Sequence, residues 1–254
     1  MSNGFIGNWA VTILLQAQII EDFPELTQAD ISACLRFAHC QGSIIQMTYS
    51  DFTLVQAKKA FALTEQRLAL FENIVPLTPS TWLSEALDIG LELALTTASE
   101  KARSEFVVVP ILFELERRNN KSFAIYSGER LDVDKERGLT GECDFILAQN
   151  KVAHTLQAPV FALVEAKKND IAAGLGQCCA QMVGAQLYNE LEQNAIPTIF
   201  GCVTTGEVWQ FLRLRKQEFA IDNKRYYIDN LSMILAVLQN IFDNNLTTSH
   251  RQDP

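Results

Sequence analysis

The sequence lacks the features that define several large classes of protein. Of its 254 residues only three are histidine and six are cysteine, and no two cysteines form a C-x-x-C pair. These numbers and spacings do not provide the ligands of a zinc site. No stretch contains the roughly 20 uncharged apolar residues that a membrane-spanning helix requires. We therefore expect neither a zinc centre nor a membrane helix.

The amino-terminal stretch and the cysteines both argue against a secreted protein. Residues 1–20 are apolar, but they have no basic flank and no small-residue cleavage site, so they do not have the form of a signal peptide. Cys178 and Cys179 are adjacent within a helical pattern, which favours packed, reduced thiols over a disulfide framework. Both observations predict a cytoplasmic protein.

The charge of the chain bears on its partners. The formal net charge is -9, whereas a protein that coats nucleic acid non-specifically is usually basic. A nuclease needs only a local basic groove, however, and its metal offsets acidic ligands. The best candidate for a nucleic-acid contact is the basic run of Arg213, Arg215 and Lys216. The alternative interpretation of this run is the solvated end of a strand.

Three segments divide the chain. In residues 1–46 we expect a separable helical extension, because Thr27 and Asp30 have the spacing of a helix start. The pattern P-x-L-T-x-x-D-I in this extension resembles a small antitoxin-like helix-turn-helix family, although a plain helical hairpin is the favoured interpretation of these residues. Residues 47–244 form the main domain, and the polar residues 245–254 form a frayed tail.

The main domain begins with three helical patterns. They cover residues 53–71, residues 81–97 with Ser80 as their cap, and residues 98–119, in which Pro110 marks a kink or a local start. All three patterns lack the strict alternation of a half-buried strand. The first part of the domain is therefore predicted to be helical throughout.

After these helices the period of the pattern changes. A strand with a turn at Ser127-Gly128 is predicted from the run F-A-I-Y-S-G-E-R-L-D-V-D. Two further strands are predicted at residues 141–148 and 160–168, followed by a long helix at 170–193. The last predicted elements are two strands within residues 198–214 and a helix at 226–242. From Ser99 onward the order is α-β-β-β-α-β-β-α. That order predicts an α/β domain with a mixed central sheet flanked by helices.

Three charged residues lie within or just beyond apolar strands. Asp144 follows Cys143, and Glu165 and Lys167 end the next strand. Burying such groups is costly unless they are paired or bind a metal ion. Because strand side chains alternate, Glu165 and Lys167 lie on one face and Ala166 on the other. If the two strands are neighbours, Asp144 joins the same face.

These residues have the chemistry of metal-assisted phosphodiester hydrolysis. Asp144, Glu165 and the main-chain carbonyl of Ala166 are hard oxygen ligands, which suit Mg²⁺ or Mn²⁺. The metal neutralises charge on the scissile phosphate and promotes hydroxide formation. Lys167 holds or activates the water and stabilises the transition state. Burial would lower the pKa of Lys167 and the carboxylates would raise it, and both directions stay open.

Further groups are expected from the helices on either side. Glu105 is the favoured fourth acidic group, with Glu85 as the rival candidate. Gln177 and Gln181 are four residues apart and share one helix face. Their amides are suited to hold a DNA backbone or a catalytic water.

The pattern G-E-C-D-F-I-L … F-A-L-V-E-A-K-K … G-L-G-Q-C-C-A-Q-M resembles the PD-(D/E)XK nuclease superfamily. Within it, the chain is most similar to the N-terminal nuclease domain of type I restriction motor subunits and to stand-alone cyanobacterial relatives. The later run F-G-C-V-T-T-G-E-V-W-Q-F-L-R-L is also similar to that group. The likeness covers residues 50–242 and implies a restriction-endonuclease-like fold.

The resemblance also implies roles for single residues. The family's strand Asp and E-x-K pair bind metal and position water, and these roles pass to Asp144, Glu165 and Lys167. Its helix-borne Glu corresponds to Glu105. Its helix Gln corresponds to Gln177 or Gln181. Cys143 stands where the family motif has proline.

The resemblance implies a Mg²⁺-dependent (or Mn²⁺-dependent) endonuclease that hydrolyses DNA. The alternative is a regulatory module that keeps the nuclease fold and binds DNA or protein without hydrolysis, because a fold does not by itself establish turnover. No motor or methyltransferase motif is present, so a restriction role requires partner subunits. A homodimer suits double-strand cleavage by two symmetry-related sites.

Overall fold

The structure is a computed structural model, and it divides the chain into two units at the boundary between Gln46 and Met47. It describes residues 27, 29–30, 47–97, 99–149 and 153–249, without the side chains of 246–249. In the first unit Thr27 N donates to Asp30 Oδ2 at 2.8 Å, and Asp30 N donates to Thr27 Oγ1 at 3.2 Å, which confirms the predicted helix start. The antitoxin-like prediction for residues 1–46 otherwise lies outside the described residues.

The second unit contains six α-helices and eight strands within the described residues. The helices are α1 Leu54–Ala60, α2 Thr81–Thr97, α3 Glu100–Arg103, α4 Val109–Arg118, α5 Ile171–Leu191 and α6 Leu231–Ser249. A π-helical turn at Ser104–Val108 joins α3 to α4, and short 3-10 turns occupy Tyr49–Asp51 and Ile228–Asn230. The strands are β1 Thr64–Leu68, β2 Ala124–Arg130, β3 Glu142–Ala148, β4 Val160–Ala166, β5 Ile199–Thr204, β6 Val208–Arg215, β7 Glu218–Asp222 and β8 Tyr226–Tyr227.

The eight strands form one mixed sheet. Their order is β1-β7-β6-β5-β4-β3-β2, with β8 also paired to β6. The pairs β1–β7 and β4–β5 are parallel, and the other pairs are antiparallel. Helices α2, α4 and α6 contribute to the apolar core on one face of the sheet, and α1 and α5 contribute to the core on the other. The predicted α/β domain with a mixed sheet flanked by helices is therefore confirmed.

The middle of the sheet is the best-buried part of the domain. All seven residues of β4 are buried, with Phe161 in one core cluster and Leu163 in the other. The described cysteines all have free thiols and are buried: Cys143, Cys178, Cys179 and Cys202. None of the helices in the described ranges is both long and apolar enough to cross a membrane.

The helix predicted for residues 53–71 is wrong beyond its first two turns. Helix α1 ends at Ala60, Ala62 adopts a φ of 52°, and the chain then forms β1. Strand β1 is a largely exposed edge strand of sequence T-E-Q-R-L, paired in parallel with β7. An edge strand with little burial has no apolar alternation, so its local sequence does not distinguish it from a polar helix.

Three other predictions need correction. Strand β2 continues through the predicted turn at Ser127-Gly128, because Ser127 and Glu129 both pair with β3 while Gly128 adopts a φ of 66° between them. Strand β7 was not predicted, because it is only five residues long, and the helix predicted for residues 226–242 begins only at Leu231, since β8 and a 3-10 turn occupy its expected start. Helix α6 includes residues 245–249 of the predicted frayed tail.

Two helix boundaries follow the sequence closely. Ser80 caps α2, since its Oγ accepts a hydrogen bond from Leu83 N at 3.2 Å. Pro110 occupies the first turn of α4, directly after the π-helical turn. Proline has no N–H to donate to a preceding carbonyl, so it fits the start of a helical segment. The predicted kink or start at Pro110 is therefore confirmed.

Candidate active site

Two acidic side chains lie beside each other where β3 and β4 run together. Phe145 pairs with Val164 in the antiparallel ladder, and this register places Asp144 opposite Glu165. Asp144 Oδ2 accepts a hydrogen bond from Ala166 N at 2.7 Å, which fixes the carboxylate against β4. The strand adjacency on which the predicted site depends is thus present.

Glu165 is the most enclosed of the charged residues in this site. The residue is only 1% exposed, and each of its two carboxylate oxygens has its own donor. Lys167 Nζ donates to Oε1 at 2.7 Å, and Gln181 Nε2 donates to Oε2 at 2.8 Å. The E-x-K pair therefore shares one face of the strand end, as the alternation of strand side chains predicts.

The electrostatics of the two carboxyl groups are coupled. Burial, followed by the neighbouring Asp144, raises the pKa of Glu165 to about 7 against the lowering effects of Lys167 and Gln181. Burial also raises the pKa of Asp144, against the lowering effects of the Ala166 N–H and Lys167. The interaction between the two carboxyl groups also lowers the pKa of Asp144, as the smallest of these effects. In the metal-free protein the pair therefore retains a proton near neutral pH.

Lys167 remains a cation in this setting. Burial alone lowers the pKa of its ammonium, but Glu165, Glu100 and Asp144 together outweigh burial and raise the pKa above the ordinary value. This settles the direction that the sequence left open. A lysine with a raised pKa is a poor general base at neutral pH, and its positive charge is available to stabilise an anion.

The helix-borne glutamate nearest to Lys167 is Glu100 rather than the predicted Glu105. Glu100 Oε1 lies 3.6 Å from Lys167 Nζ. Glu105 is half-exposed and pairs with Lys101 at 3.6 Å, although it lines a groove that also includes Asp144. The rival candidate Glu85 is exposed on α2 and lines neither cavity next to Asp144.

A cavity of about 440 Å³ gives access to these groups. Asp144, Glu165, Lys167 and Glu100 line this carboxylate cavity, and Gln177 lines it from α5. Gln181, one turn further along the helix, is fully buried and holds Glu165 from beneath. The two predicted glutamines therefore have different places, one facing the cavity and one supporting its acidic floor.

The predicted nucleic-acid contacts lie elsewhere. Arg213 pairs with Phe200 on β5, and Phe200 pairs with Ala162 on β4, three residues before Glu165. Arg215 is further from the carboxylates along the same direction, and its Nε donates to Thr198 Oγ1 at 3.0 Å. At about 3.3 Å per residue, the basic run Arg213, Arg215, Lys216 is displaced from Glu165 by roughly 10 Å or more along the strands.

The side chain of Arg213 is only partly accessible to a polyanion. Its Nε is buried and has no hydrogen-bond partner among the described residues, and burial, followed by the nearby Arg215, lowers the pKa of its guanidinium. Strand β6 runs antiparallel to β5, so the carboxyl end of β6, which holds the basic run, lies at the opposite end of the strands from the carboxylates. The structure therefore does not bring the predicted contact run to the cavity.

The donor set suits a divalent cation only in part. Within the described residues no three His, Cys, Asp or Glu side chains form a group that could hold a metal ion. Asp144 and Glu165 supply two carboxylates, and the main-chain carbonyl of Ala166 is the predicted third ligand. Asp144 and Glu165 together hold a proton near neutral pH, and a divalent cation that binds between them can displace this proton. On donor chemistry the two carboxylates fit Mg²⁺ or Mn²⁺.

Comparisons with known proteins add no identity to this geometry. No family model matches the chain. No curated protein matches it either. The functional conclusion therefore depends on the arrangement of the side chains.

Proposed function

We propose that the chain is a Mg²⁺-dependent nuclease of the PD-(D/E)XK type that hydrolyses phosphodiester bonds in DNA. One observation carries the proposal: Asp144 and Glu165 lie opposite each other on adjacent strands, with Lys167 Nζ 2.7 Å from the Glu165 carboxylate. Two carboxylates and an ammonium at the end of a buried strand are the groups that metal-assisted phosphodiester hydrolysis requires. The flanked mixed sheet supports assignment to the restriction-endonuclease-like fold.

Each residue has a defined role in this proposal. Asp144 and Glu165 hold the cation, with the carbonyl of Ala166 as a third oxygen ligand. When bound, Mg²⁺ supplies Lewis-acid stabilisation of the phosphate and a water of lowered pKa. Lys167 keeps its proton, orients the attacking water and stabilises the charge that develops on the phosphate. Gln181 positions Glu165 through the 2.8 Å hydrogen bond.

Two peripheral residues complete the site. Glu100 lies 3.6 Å from Lys167 and helps to keep the lysine protonated. Gln177 faces the carboxylate cavity, where its amide is available to the attacking water or to a phosphate oxygen. Glu105 is assigned to the rim of the neighbouring groove and not to the metal.

A second candidate function is a nuclease-fold module that binds DNA or a protein partner without hydrolysis. The observation that favours it is the engagement of both Glu165 oxygens by Lys167 and Gln181, because these donors compete with a cation for the carboxylate. A cytoplasmic location, a homodimer and partner restriction subunits are compatible with either function.

A DNA-cleavage assay that compares the wild type with the Lys167→Ala variant distinguishes these two functions. We expect wild-type protein to nick or cut plasmid DNA with Mg²⁺ or Mn²⁺, and Lys167→Ala to lose at least about 100-fold in rate. Lys59→Ala, on the exposed side of α1, is the matched control and should cleave at the wild-type rate. Circular dichroism and thermal melting check that both variants are folded.

The opposite results are equally informative. Full activity in Lys167→Ala would discard the proposed mechanism and point to a contaminating nuclease. A wild-type protein that binds DNA, binds no Mn²⁺ in a calorimetric titration and cuts nothing would establish the binding module instead.

A further inference from the structure

A second cavity, of about 460 Å³, lies beside the site just described. It is lined by Lys168, which directly follows Lys167, and by Arg103, which is three residues after Glu100 in α3. Arg225 and Tyr227 line it from the segment around β8. We call it the basic cavity, and it is defined by Arg103, Lys168, Arg225 and Tyr227.

Arg103 forms a fixed wall of the basic cavity. The residue is 6% exposed, and its Nη1 donates to Thr205 O at 2.5 Å and to Glu207 Oε2 at 3.1 Å. Its Nε is buried and has no partner among the described residues. The guanidinium is therefore held in one orientation, and its charge is offset by Glu207.

The other two cations have no such offset. Within the part of the chain that the structure describes, neither Lys168 nor Arg225 forms an ion pair, and both are exposed. The remaining acidic residue of the cavity, Asp170, accepts a hydrogen bond from Ala172 N at 2.8 Å as the cap of α5. Since Glu207 is paired with Arg103 and Asp170 is held at the start of α5, the lining keeps a net charge of +1, and the side chains of Lys168 and Arg225 are left to bind an anionic ligand.

Arg225 is also positioned in advance. Its Nε donates to Gln210 Oε1 at 3.3 Å, and the amide of Gln210 donates to Asp222 O at 2.8 Å and to Lys224 O at 3.1 Å. This chain of bonds fixes the direction of the guanidinium while leaving its terminal nitrogens available. A guanidinium held in this way loses little freedom when it binds a phosphate.

A groove that adjoins the carboxylate cavity has the reverse charge. It has a volume of about 500 Å³, shares Glu100, Glu142 and Asp144 with that cavity, and is also lined by Glu105, with Lys101 as its cation. A polyanion is repelled from that groove and attracted to the basic cavity. A polyanion at the carboxylate cavity is therefore expected to extend toward the basic cavity and away from the acidic groove.

Tyr227 supplies a different type of contact. It is 51% exposed at the edge of the basic cavity, close in sequence to Arg225. An exposed aromatic ring beside cations is a platform on which an unpaired base stacks, and such stacking is tolerant of sequence. In a duplex the faces of the bases are already covered by their neighbours, so Tyr227 favours a single strand.

We propose that the basic cavity binds an unpaired DNA strand next to the scissile phosphate, with Lys168 and Arg225 on consecutive phosphates and Tyr227 stacked on a base. The inference rests on the proposed nuclease function for its position relative to the chemistry. The binding itself requires neither metal nor hydrolysis. It replaces the run of Arg213, Arg215 and Lys216 as the nucleic-acid contact.

Fluorescence anisotropy in EDTA tests the inference separately from catalysis. The probes are a fluorescein-labelled twelve-nucleotide oligothymidylate and a labelled duplex of the same length. We expect the single strand to bind more tightly, Lys168→Ala/Arg225→Ala to weaken its binding at least about 10-fold, and the slope of log affinity against log salt to fall by roughly 1.4 for two lost phosphate contacts. The matched double variant Lys59→Ala/Arg215→Ala should bind as the wild type does.

Tyr227 has its own paired test. Tyr227→Ala should weaken binding of the oligothymidylate by roughly 10-fold, whereas Tyr227→Phe, which keeps the ring, should leave it unchanged. Thermal melting of each variant verifies the fold.

Several results would overturn the inference: no binding of the single strand, tighter binding of the duplex, or equal losses in the two double variants. If the wild type binds the oligothymidylate as described but never cleaves DNA with Mg²⁺, the proposed function fails and the inference stands. If it cleaves DNA and the Lys168, Arg225 and Tyr227 variants bind normally, only the inference fails.

Discussion

The raised pKa of Glu165 makes the stability of the metal-free protein depend on pH in a defined direction. Burial and Asp144 raise that pKa from 4.5 to about 7. Between these values the folded protein binds more protons than the unfolded chain, so its stability falls as the pH rises. The loss begins near pH 4.5 and is complete above about pH 7.

The size of the effect follows from the same shift. Each tenfold change in proton affinity corresponds to about 1.4 kcal/mol, so the rise in the pKa of Glu165 amounts to about 3 kcal/mol of lost stability. Asp144 acts in the same direction, because its pKa is also raised. Glu114 and Asp132 act oppositely, since their pKa values are lowered and their stabilisation is lost as the pH falls below the ordinary carboxyl range. Measurements above pH 5 avoid that second effect.

Urea denaturation in EDTA at pH 5, 6, 7 and 8 measures the free energy of unfolding across the window. We expect the wild type to lose about 2.5 kcal/mol from pH 5 to pH 8, because part of the total loss already occurs below pH 5. Glu165→Gln, which cannot ionise at this position, should lose clearly less stability over the same range, and the remaining loss should come from Asp144. Parallel profiles for the two proteins would refute the assignment of the raised pKa to Glu165.

Three further substitutions test the packing around the site. Glu114→Ala removes the buried carboxylate that accepts hydrogen bonds from Arg118 and from Ser80, the cap of α2. The free energy of unfolding should fall by about 2–3 kcal/mol, and a loss below about 0.5 kcal/mol would contradict that role. Tyr49→Phe deletes a buried hydroxyl that has no partner in the described residues, so urea denaturation should show a gain of about 1 kcal/mol rather than a loss. Gly174→Ala places a Cβ 3.0 Å from Lys167 Cγ, and should cost about 1–3 kcal/mol and reduce DNA cleavage; unchanged melting and rate would show that α5 can yield there.

The central strands and the long helix were predictable from the sequence because burial there leaves a strong local pattern. Strand β4 is buried at every position, and β3 is buried at five of its seven. In apolar strands of this kind a charged residue such as Asp144 or Glu165 is conspicuous. The local pattern therefore identified the carboxylates, and their adjacency needed only the common pairing of consecutive strands.

The edge of the sheet was not predictable in the same way. Strand β1 owes its conformation to pairing with β7, which is about 150 residues later in the chain. Its own residues are mostly charged or polar and mostly exposed. No local period signals such a strand, since the stabilising partner is remote in sequence.

The helix-borne residues of the site illustrate a second limit. The π-helical turn at Ser104–Val108 changes the angular spacing between Glu100 and the residues after it, so an assumed period of 3.6 does not identify which glutamate faces the carboxylates. The misplaced run at Arg213 has a different cause. Its position follows from the direction of β6 in the sheet, which depends on topology and not on the charges of the run.

The most direct test of the account is anomalous diffraction from a crystal soaked with Mn²⁺ at pH 8. We predict a Mn²⁺ peak within about 2.5 Å of carboxylate oxygens from both Asp144 and Glu165. A map at saturating Mn²⁺ with no peak between these carboxylates would contradict the proposed metal site.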